Sequence, residues 1–206
     1  MPAVSHEGTT HVESIDILRW ADNCLPGPPL SPDSTTSSGS SSDMMDEMDA
    51  LIAAGSDLVS AGLSLVSGTT GRYWGIGMRP NDQQRRNFEL QLHKAIVQPL
   101  RTYGGPYLLG HSLTIADIIV YPFLSRFALA AKHFSNFNIS QTADGGDLVD
   151  KWLKDMRARP SCEITTPNEQ CLLSAFQEHM SLDFFDYHTY TACKLHPHNE
   201  IYLKGN

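Results

Sequence analysis

The sequence predicts a mainly α-helical protein in which a helical bundle follows a short ββα unit. From Asp43 onward, apolar residues recur at spacings of three and four, which is typical of helices that bury one face. Before that point, two short segments suited to strands surround the turn-like Glu7-Gly8-Thr9-Thr10. A stretch rich in proline and serine lies between the two parts and indicates a boundary.

Composition narrows the classes of partner. The formal net charge of the 206 residues is −8, and no cluster of Lys and Arg is longer than Arg85-Arg86, so neither nucleic acid nor a membrane surface is expected to bind. Asp117 and Pro122 interrupt the apolar run that follows residue 114, and we expect no membrane-spanning helix. The first ten residues carry no targeting pattern, which predicts a cytoplasmic protein. The four cysteines form no C-x-x-C pair and are interpreted as free thiols.

The N-terminal unit is predicted at residues 1–24. Residues 2–4 and 11–13 would form a hairpin, and Ser14 is suited to cap a helix over residues 15–24. Four prolines and a Ser/Thr/Gly tract then predict a linker over residues 25–43. The helical domain is expected at residues 44–173, followed by an extension at 174–206 whose fold the sequence does not indicate.

The helical domain begins with a long helix from Asp43, whose continuity Gly55 and Gly62 weaken. After a glycine-rich loop, a second helix is predicted to start at Asn81 or Asp82. Its apolar face would be Phe88, Leu92, Ile96 and Leu100. Further helices are predicted at residues 115–127, 148–158 and 168–180, with Arg159-Pro160 ending the fourth helix of the domain.

A capping signal marks the third of these helices. The Thr114 hydroxyl can accept from the backbone N–H of Asp117, and the Asp117 carboxylate can accept from the N–H of Thr114. A structural role as a cap is therefore predicted for both residues. As a cap partner alone, Asp117 is expected to contribute about 0.5–2 kcal/mol to stability.

The segment containing this cap, GGPYLLGHSLTIADIIVYPFL, resembles the central helix of the helical C-terminal domain of the cytosolic glutathione transferases. Other segments resemble that family in the same order: MPAV and HVESIDILRW match the end of its thioredoxin-like domain, LPGPPLSP its linker, and WLKDMRARPS a later helix. The resemblance implies an N-terminally truncated member, because the family's preceding βαβα unit has no counterpart here. In the family that unit carries the catalytic Tyr, Ser or Cys, so no catalytic residue is identifiable.

The resemblance implies part of a glutathione site. Glu13 and Ser14 match the family's Glu-Ser pair, which holds the γ-glutamyl end of glutathione. Pro2 matches its cis-proline, which exposes the backbone of the preceding residue, here Met1. A carboxylate and a helix N-terminus suit the ammonium and carboxylate of that ligand. The alternative is that Ser14 is only a helix cap and Glu13 only a solvated strand end.

Two further groups of residues have weaker patterns. Arg72, Tyr73 and Trp74 lie where the family forms its site for hydrophobic substrates, with packing of a loop against the core as the alternative. The C-terminal His179, His188, Cys193, His196 and His198 match no zinc-binding spacing, and no metal is expected.

The expected function is that of a glutathione transferase-like protein with little or no activity as this chain. The family activity would be conjugation of glutathione, as co-substrate, to a small hydrophobic electrophile, or glutathione-dependent reduction. Family members commonly dimerise, so a homodimer is expected. The alternative is a non-catalytic helical scaffold or a module that binds apolar ligands.

Overall fold

A computed structural model of the chain describes residues 2–32, 41–67, 80–142 and 144–179, with only the backbone of residues 41–42 and 175–179. Two strands and α1 come first, and a bundle of helices follows. The elements are β1 (Ala3–His6), β2 (Thr9–Val12), α1 (Ser14–Cys24), α2 (Ser41–Ser67), α3 (Asp82–Leu92), a π-helical turn (His93–Val97), α4 (Gln98–Tyr103), α5 (Ile115–Phe134), a 3₁₀ turn (Ile139–Gln141), α6 (Gly146–Arg157), α7 (Pro160–Thr165) and α8 (Glu169–His179).

The N-terminal hairpin is antiparallel, with Ala3 opposite Val12 and His6 opposite Thr9. Its turn contains Glu7 and Gly8, both at positive φ, which matches the twist of the two strands. The helix after the hairpin begins at Ser14, one residue earlier than predicted, and Glu13 occupies the position before it. The prediction that Ser14 caps α1 is therefore wrong, and no side chain caps this helix.

The core is formed mainly by α2, α3 and α5. The predicted apolar face of the second helix of the domain is confirmed, because all four of its residues are buried: Phe88, Leu92, Ile96 and Leu100. Asn81 caps α3, and its side chain and that of Gln84 form a reciprocal capping box with both bonds at 2.9 Å. Sequence patterns thus locate the start of this helix to within a residue.

One π-helical turn separates α3 from α4. Within it the Gln98 N–H donates to the His93 carbonyl, five residues earlier. Pro99 follows directly, and a proline has no N–H and crowds the carbonyl four residues before it. The wider turn lets the helix continue past this proline.

The glycines of α2 lie where α2 approaches α5. A Cβ atom added to Gly55 would lie 2.6 Å from Val120 Cγ2, and one added to Gly62 would lie 2.2 Å from Phe127 Cε2. α2 is unbroken over 27 residues despite them. The glycines therefore allow close packing of two helices rather than interrupting one.

α2 also meets a length and composition test for a membrane span, over Asp43–Val66. From the sequence, only the apolar run near Asp117 and Pro122 was taken as a candidate span, and α2 is a second candidate by length and composition alone. Met48, Leu58 and Leu65 of α2 are at most 1% exposed in this structure. A core helix of a soluble bundle passes the same test, so length and composition alone are weak evidence for a span.

The later helices depart slightly from prediction. α5 extends to Phe134, past the predicted end at residue 127, with Pro122 inside it. α6 ends at Arg157, and Pro160 begins the short α7 instead of only stopping α6. A proline suits the first turn of a helix, where its missing N–H would have no partner.

The ββα unit is joined to the bundle by α1 and the linker. Arg19 of α1 forms an ion pair with Asp49 of α2. Asp22 accepts 2.6 Å hydrogen bonds from the Leu30 N–H and the Ser31 hydroxyl, which holds the linker against α1. The Leu30 carbonyl in turn accepts from the N–H of Ile115, the first residue of α5.

Candidate functional site

The junction of β2 and α1 contains the pair Glu13 and Ser14. Glu13 has φ 67° and ψ 127°, a conformation that a residue with a side chain rarely adopts. Such a conformation costs about 1–3 kcal/mol, and strained residues of this kind cluster at functional sites. Both residues of the pair are exposed.

The chemistry of this junction suits a zwitterion. α1 has no side-chain cap, so its first N–H groups are left to solvent or a ligand, and they carry the positive end of the helix dipole. The Glu13 carboxylate beside them offers a negative charge. Asp16 lies in the same first turn and opposes an anionic ligand, which limits the affinity of this helix end by itself.

The hairpin register places Pro2 at the same end of the unit as Glu13, because Ala3 is opposite Val12. Pro2 is exposed. Met1, and with it the predicted cis bond to Pro2, lies outside the described residues. So do Arg72, Tyr73 and Trp74 of the predicted substrate site. The structure therefore brings together Glu13, Ser14 and Pro2 among the predicted ligand-binding residues.

Three aromatic side chains fix the hairpin against α1, and sequence patterns gave no sign of them. The His11 ring stacks on the Trp20 ring, with centroids 4.9 Å apart, and the His6 ring lies 5.3 Å from the same indole. Val4 is opposite His11 on the neighbouring strand, and His6 is two residues after Val4. Residues two apart on a strand lie on the same face, so His6 and His11 share a face of the hairpin. This arrangement orients β2, which ends at Val12, directly before Glu13.

Asp117 is the centre of a buried hydrogen-bond network. Its Oδ1 accepts from the Leu108 N–H and from Trp152 Nε1, both at 3.0 Å. Its Oδ2 accepts from the Thr114 N–H at 3.1 Å and from the Thr114 hydroxyl at 3.0 Å. The capping box with Thr114 is present, as predicted, but the bonds to Leu108 and Trp152 were not foreseen.

Burial raises the pKa of Asp117 above its ordinary value, and the four hydrogen bonds act in the opposite direction. Among the described residues, Asp117 lines none of the main surface cavities, and its hydrogen bonds join three parts of the chain. Its place is that of a structural residue. This agrees with the role predicted from the cap.

A groove of about 390 Å³ lies between α5 and α7, and we call it the α5–α7 groove. It is separate from Glu13 and Ser14, which line none of the cavities considered in the described part of the chain. Its lining combines apolar side chains with two guanidinium groups and a thiol: Leu113, Ile118, Tyr121, Pro122, Arg126, Met156, Arg159, Ser161, Cys162, Thr165 and Thr166.

Cysteine and metal chemistry is limited in the described part of the chain. Cys24, Cys162 and Cys171 are free thiols. The described residues contain no group of three or more His, Cys, Asp and Glu side chains arranged to hold a metal. Cys193 and the histidines after residue 179 lie outside them, and nothing is described of the His179 side chain.

The fold is that of the helical domain of a glutathione transferase, preceded by a small ββα unit. The chain is similar to the solved structure of Leishmania TDR1, described as a unique trimeric glutathione transferase, with a TM-score of 0.59 and 16% identity over 84% of this chain. The match covers 34% of the Leishmania chain, so this chain spans about a third of its length. At this identity the likeness establishes the fold alone. No family model and no curated protein matches the sequence.

Proposed function

We propose that the chain is a glutathione transferase-like protein in which Glu13 and Ser14 bind the γ-glutamyl end of glutathione. The observation that carries this proposal is the left-handed conformation of Glu13 directly before an uncapped helix. A solvated strand end has no need of a strained residue, and glycine would adopt this conformation at lower cost. A glutamate at this strained position therefore favours a role for its carboxylate.

In this site the Glu13 carboxylate accepts from the ammonium group of the γ-glutamyl residue. The Ser14 hydroxyl and the first N–H groups of α1 donate to its α-carboxylate. Met1 and Pro2 would present backbone atoms to the cysteinyl part of the ligand. Each contact uses a group of opposite charge or polarity, so the pair distinguishes an α-amino acid end from a simple anion.

Glutathione binding is tested by calorimetry with the full chain. Glu13→Ala and Glu13→Gly are both expected to abolish binding, and Glu13→Gly should also raise the melting temperature because glycine relieves the strain at φ 67°. The matched control is Glu7→Gly, an exposed glutamate at φ 49° in the hairpin turn, which should keep binding. Cysteinylglycine, which lacks the γ-glutamyl group, should not bind. Unchanged affinity in Glu13→Gly would contradict the proposed site.

We further propose that this chain has little or no conjugating activity. Activation of the glutathione thiol requires a group that lowers its pKa from about 8.5. Glu13 and Ser14 are proposed to contact the γ-glutamyl end and not the cysteine thiol, so another segment or a partner chain would have to supply that group. With the purified 206-residue chain, the reaction of glutathione with a hydrophobic electrophile should run at the uncatalysed rate. Saturable turnover would refute this part of the proposal.

The protein is proposed to self-associate and to act in the cytoplasm. The similar Leishmania protein is described as trimeric, and a homodimer is the expectation from the resemblance. Sedimentation analysis of the full chain distinguishes the two states. A strictly monomeric protein at all concentrations would contradict both.

A second candidate function is the binding of apolar ligands without catalysis. The α5–α7 groove favours it, because most of the side chains that line it are apolar or only weakly polar. Its volume of about 390 Å³ falls within the usual range for small-molecule sites. This function does not depend on glutathione or on Glu13.

A further inference from the structure

We propose that the α5–α7 groove binds a small apolar carboxylate, of the kind represented by a medium-chain fatty acid. The proposal rests on the second function above and gives it a site and a class of ligand. It is independent of glutathione binding at Glu13 and Ser14, which lie outside this groove.

The groove provides an apolar surface for the body of such a ligand. Tyr121 and Met156, which are 5% and 1% exposed, are its most buried lining residues. Leu113 and Ile118 at the start of α5 add aliphatic surface. Burial of a short alkyl chain here contributes about 0.8 kcal/mol for each CH₂ group. The hydrocarbon part of the ligand thus supplies most of the expected affinity.

The charge of the groove selects an anion. Arg126 and Arg159 line it, and none of the described residues that line it is an aspartate or a glutamate. The formal charge of the whole chain is −8, so a wall with two cations and no carboxylate departs from the surface average. Glu163 and Glu169 line neighbouring cavities, and Arg126 also lines one that contains Glu169. A carboxylate group matches this lining.

Arg159 is held in position before any ligand arrives. Its Nη1 donates to the Tyr107 hydroxyl at 2.5 Å, and its guanidinium carbon lies 5.4 Å from the centre of the Tyr107 ring. Its Nε is buried and has no hydrogen-bond partner among the described residues. A buried donor of this kind is costly to leave unpaired. A ligand carboxylate would therefore meet a guanidinium that Tyr107 already holds in place.

The thiol in the groove serves as a contact and not as a nucleophile. Burial raises the pKa of Cys162, so the neutral thiol is its form at neutral pH. A neutral thiol behaves as a small hydrophobic group. This favours reversible binding of a carboxylate over covalent capture of an electrophile. Because Cys162 lines the groove, the slow alkylation of its small thiolate fraction still reports occupancy.

The experiment follows alkylation of the cysteines by iodoacetamide in the full chain, with peptide mass spectrometry as the readout. Octanoate is expected to slow alkylation of Cys162 at least threefold at saturation. The rate at Cys24, which is exposed and on a different element, should not change and is the internal control. Octanol has the same alkyl chain without the charge, and we expect it to need at least tenfold higher concentration for the same protection.

Variants test the role of the two arginines. Arg126→Gln and Arg159→Gln should each raise the octanoate concentration for half protection by about tenfold. Arg157→Gln is the matched control, because Arg157 pairs with Glu169 on the outer surface and does not line the groove. Circular dichroism and thermal melting establish that each variant folds. If Arg159→Gln does not fold because the Arg159–Tyr107 contact is lost, Arg126→Gln still tests the role of charge in the groove.

Three results would overturn the proposal. They are absence of Cys162 protection by octanoate, equal protection by octanol, and unchanged protection in both arginine variants. If calorimetry detects octanoate binding without protection of Cys162, apolar-ligand binding stands and the site is wrong. If octanoate does not bind at all, the second function fails together with its site, and the glutathione proposal is unaffected.

Discussion

At the scale of single residues, Asp117 shows how one side chain can join distant parts of the chain. Its two oxygens accept from the loop before α5 through Leu108, from the start of α5 through Thr114, and from α6 through Trp152. A cap would need only the Thr114 contacts. The buried carboxylate thus accepts from donors in three parts of the chain, and its removal would take this acceptor away from all of them.

We predict that Asp117→Ala lowers the free energy of unfolding by about 3–5 kcal/mol, more than the loss of a cap alone. The N–H groups of Leu108, Thr114 and the Trp152 indole would each lose a charged acceptor. The matched control is Asp147→Ala, an exposed aspartate in the first turn of α6, for which we expect a loss below about 0.5 kcal/mol. Urea denaturation measures both. A loss of only about 0.5–2 kcal/mol for Asp117→Ala would show that Asp117 acts only as a local cap.

The pH dependence of stability follows from the raised pKa of Asp117. Because burial raises that pKa above its ordinary 3.8, the folded protein takes up this proton at a higher pH than the unfolded chain does. The stabilisation from Asp117 is therefore complete below 3.8 and is lost as the pH rises through the raised pKa. Denaturation of the wild type and of Asp117→Asn at several pH values measures this effect. We expect the free energy of unfolding of the wild type, minus that of the variant, to fall as the pH rises. A difference that rises with pH would mean that the four hydrogen bonds outweigh burial.

At the scale of elements, the contact of α2 with α5 depends on two positions without side chains. Gly55 faces Val120 and Gly62 faces Phe127, and at both positions a Cβ would overlap the opposite helix. Glycine weakens an isolated helix by about 1 kcal/mol relative to alanine. Close packing offsets this cost, since the apolar side chains of both helices are buried against each other.

Gly62→Ala is predicted to destabilise the protein, by a net amount of about 1–2 kcal/mol. Helix propensity favours alanine by about 1 kcal/mol, but overpacking costs about 1–3 kcal/mol and grows when the neighbour cannot move. Phe127 has no exposed surface and little room to shift. Ala53→Gly, on the exposed face of α2, measures the propensity effect alone and should cost about 1 kcal/mol. A stabilised Gly62→Ala protein in thermal or urea unfolding would contradict the packing argument.

At the scale of the whole molecule, the small ββα unit depends on the bundle for its position. A two-stranded hairpin is marginal by itself in water. Here α1 carries it, and Ile15 and Leu18 of α1 pack against the core of the bundle. The linker adds a chain of hydrogen bonds from Asp22 through Leu30 to Ile115. The geometry of Glu13 is thus set by contacts on the far side of α1.

We predict that Asp22→Ala loosens the linker and leaves the bundle intact. Hydrogen exchange at the Leu30 amide should accelerate at least tenfold, because a hydrogen bond to a charged acceptor contributes about 1.5–3 kcal/mol. The slowest amides of α5 should be unchanged. Asp16→Ala, in the same helix and exposed, is the control and should leave the Leu30 amide protected. Acceleration in both variants, or in neither, would contradict the assigned role of Asp22.

The residues that sequence patterns predicted well are those whose signals are local. Phe88 and Leu92 follow the helical period, Asn81 is a favoured cap, and Asp117 lies at the third position of a capping box. Ser14 shows the limit of such local signals. Serine is a favoured capping residue, but Ser14 is the first residue of α1 and not its cap. The φ of Glu13 is set by the path from hairpin to docked helix. No property of glutamate itself predicts it.

The sequence by itself determined the mainly helical bundle and its resemblance to the glutathione transferases, because helical period, turn residues and caps act between neighbours along the chain. Only the tertiary structure decided the roles of Gly62, of the Asp117 contact with Trp152 and of the α5–α7 groove. Each of these joins residues far apart in sequence: Gly62 with Phe127, Asp117 with Trp152, and Leu113 with Cys162. Such contacts arise from the packing of whole helices, and no spacing of neighbouring residues encodes them.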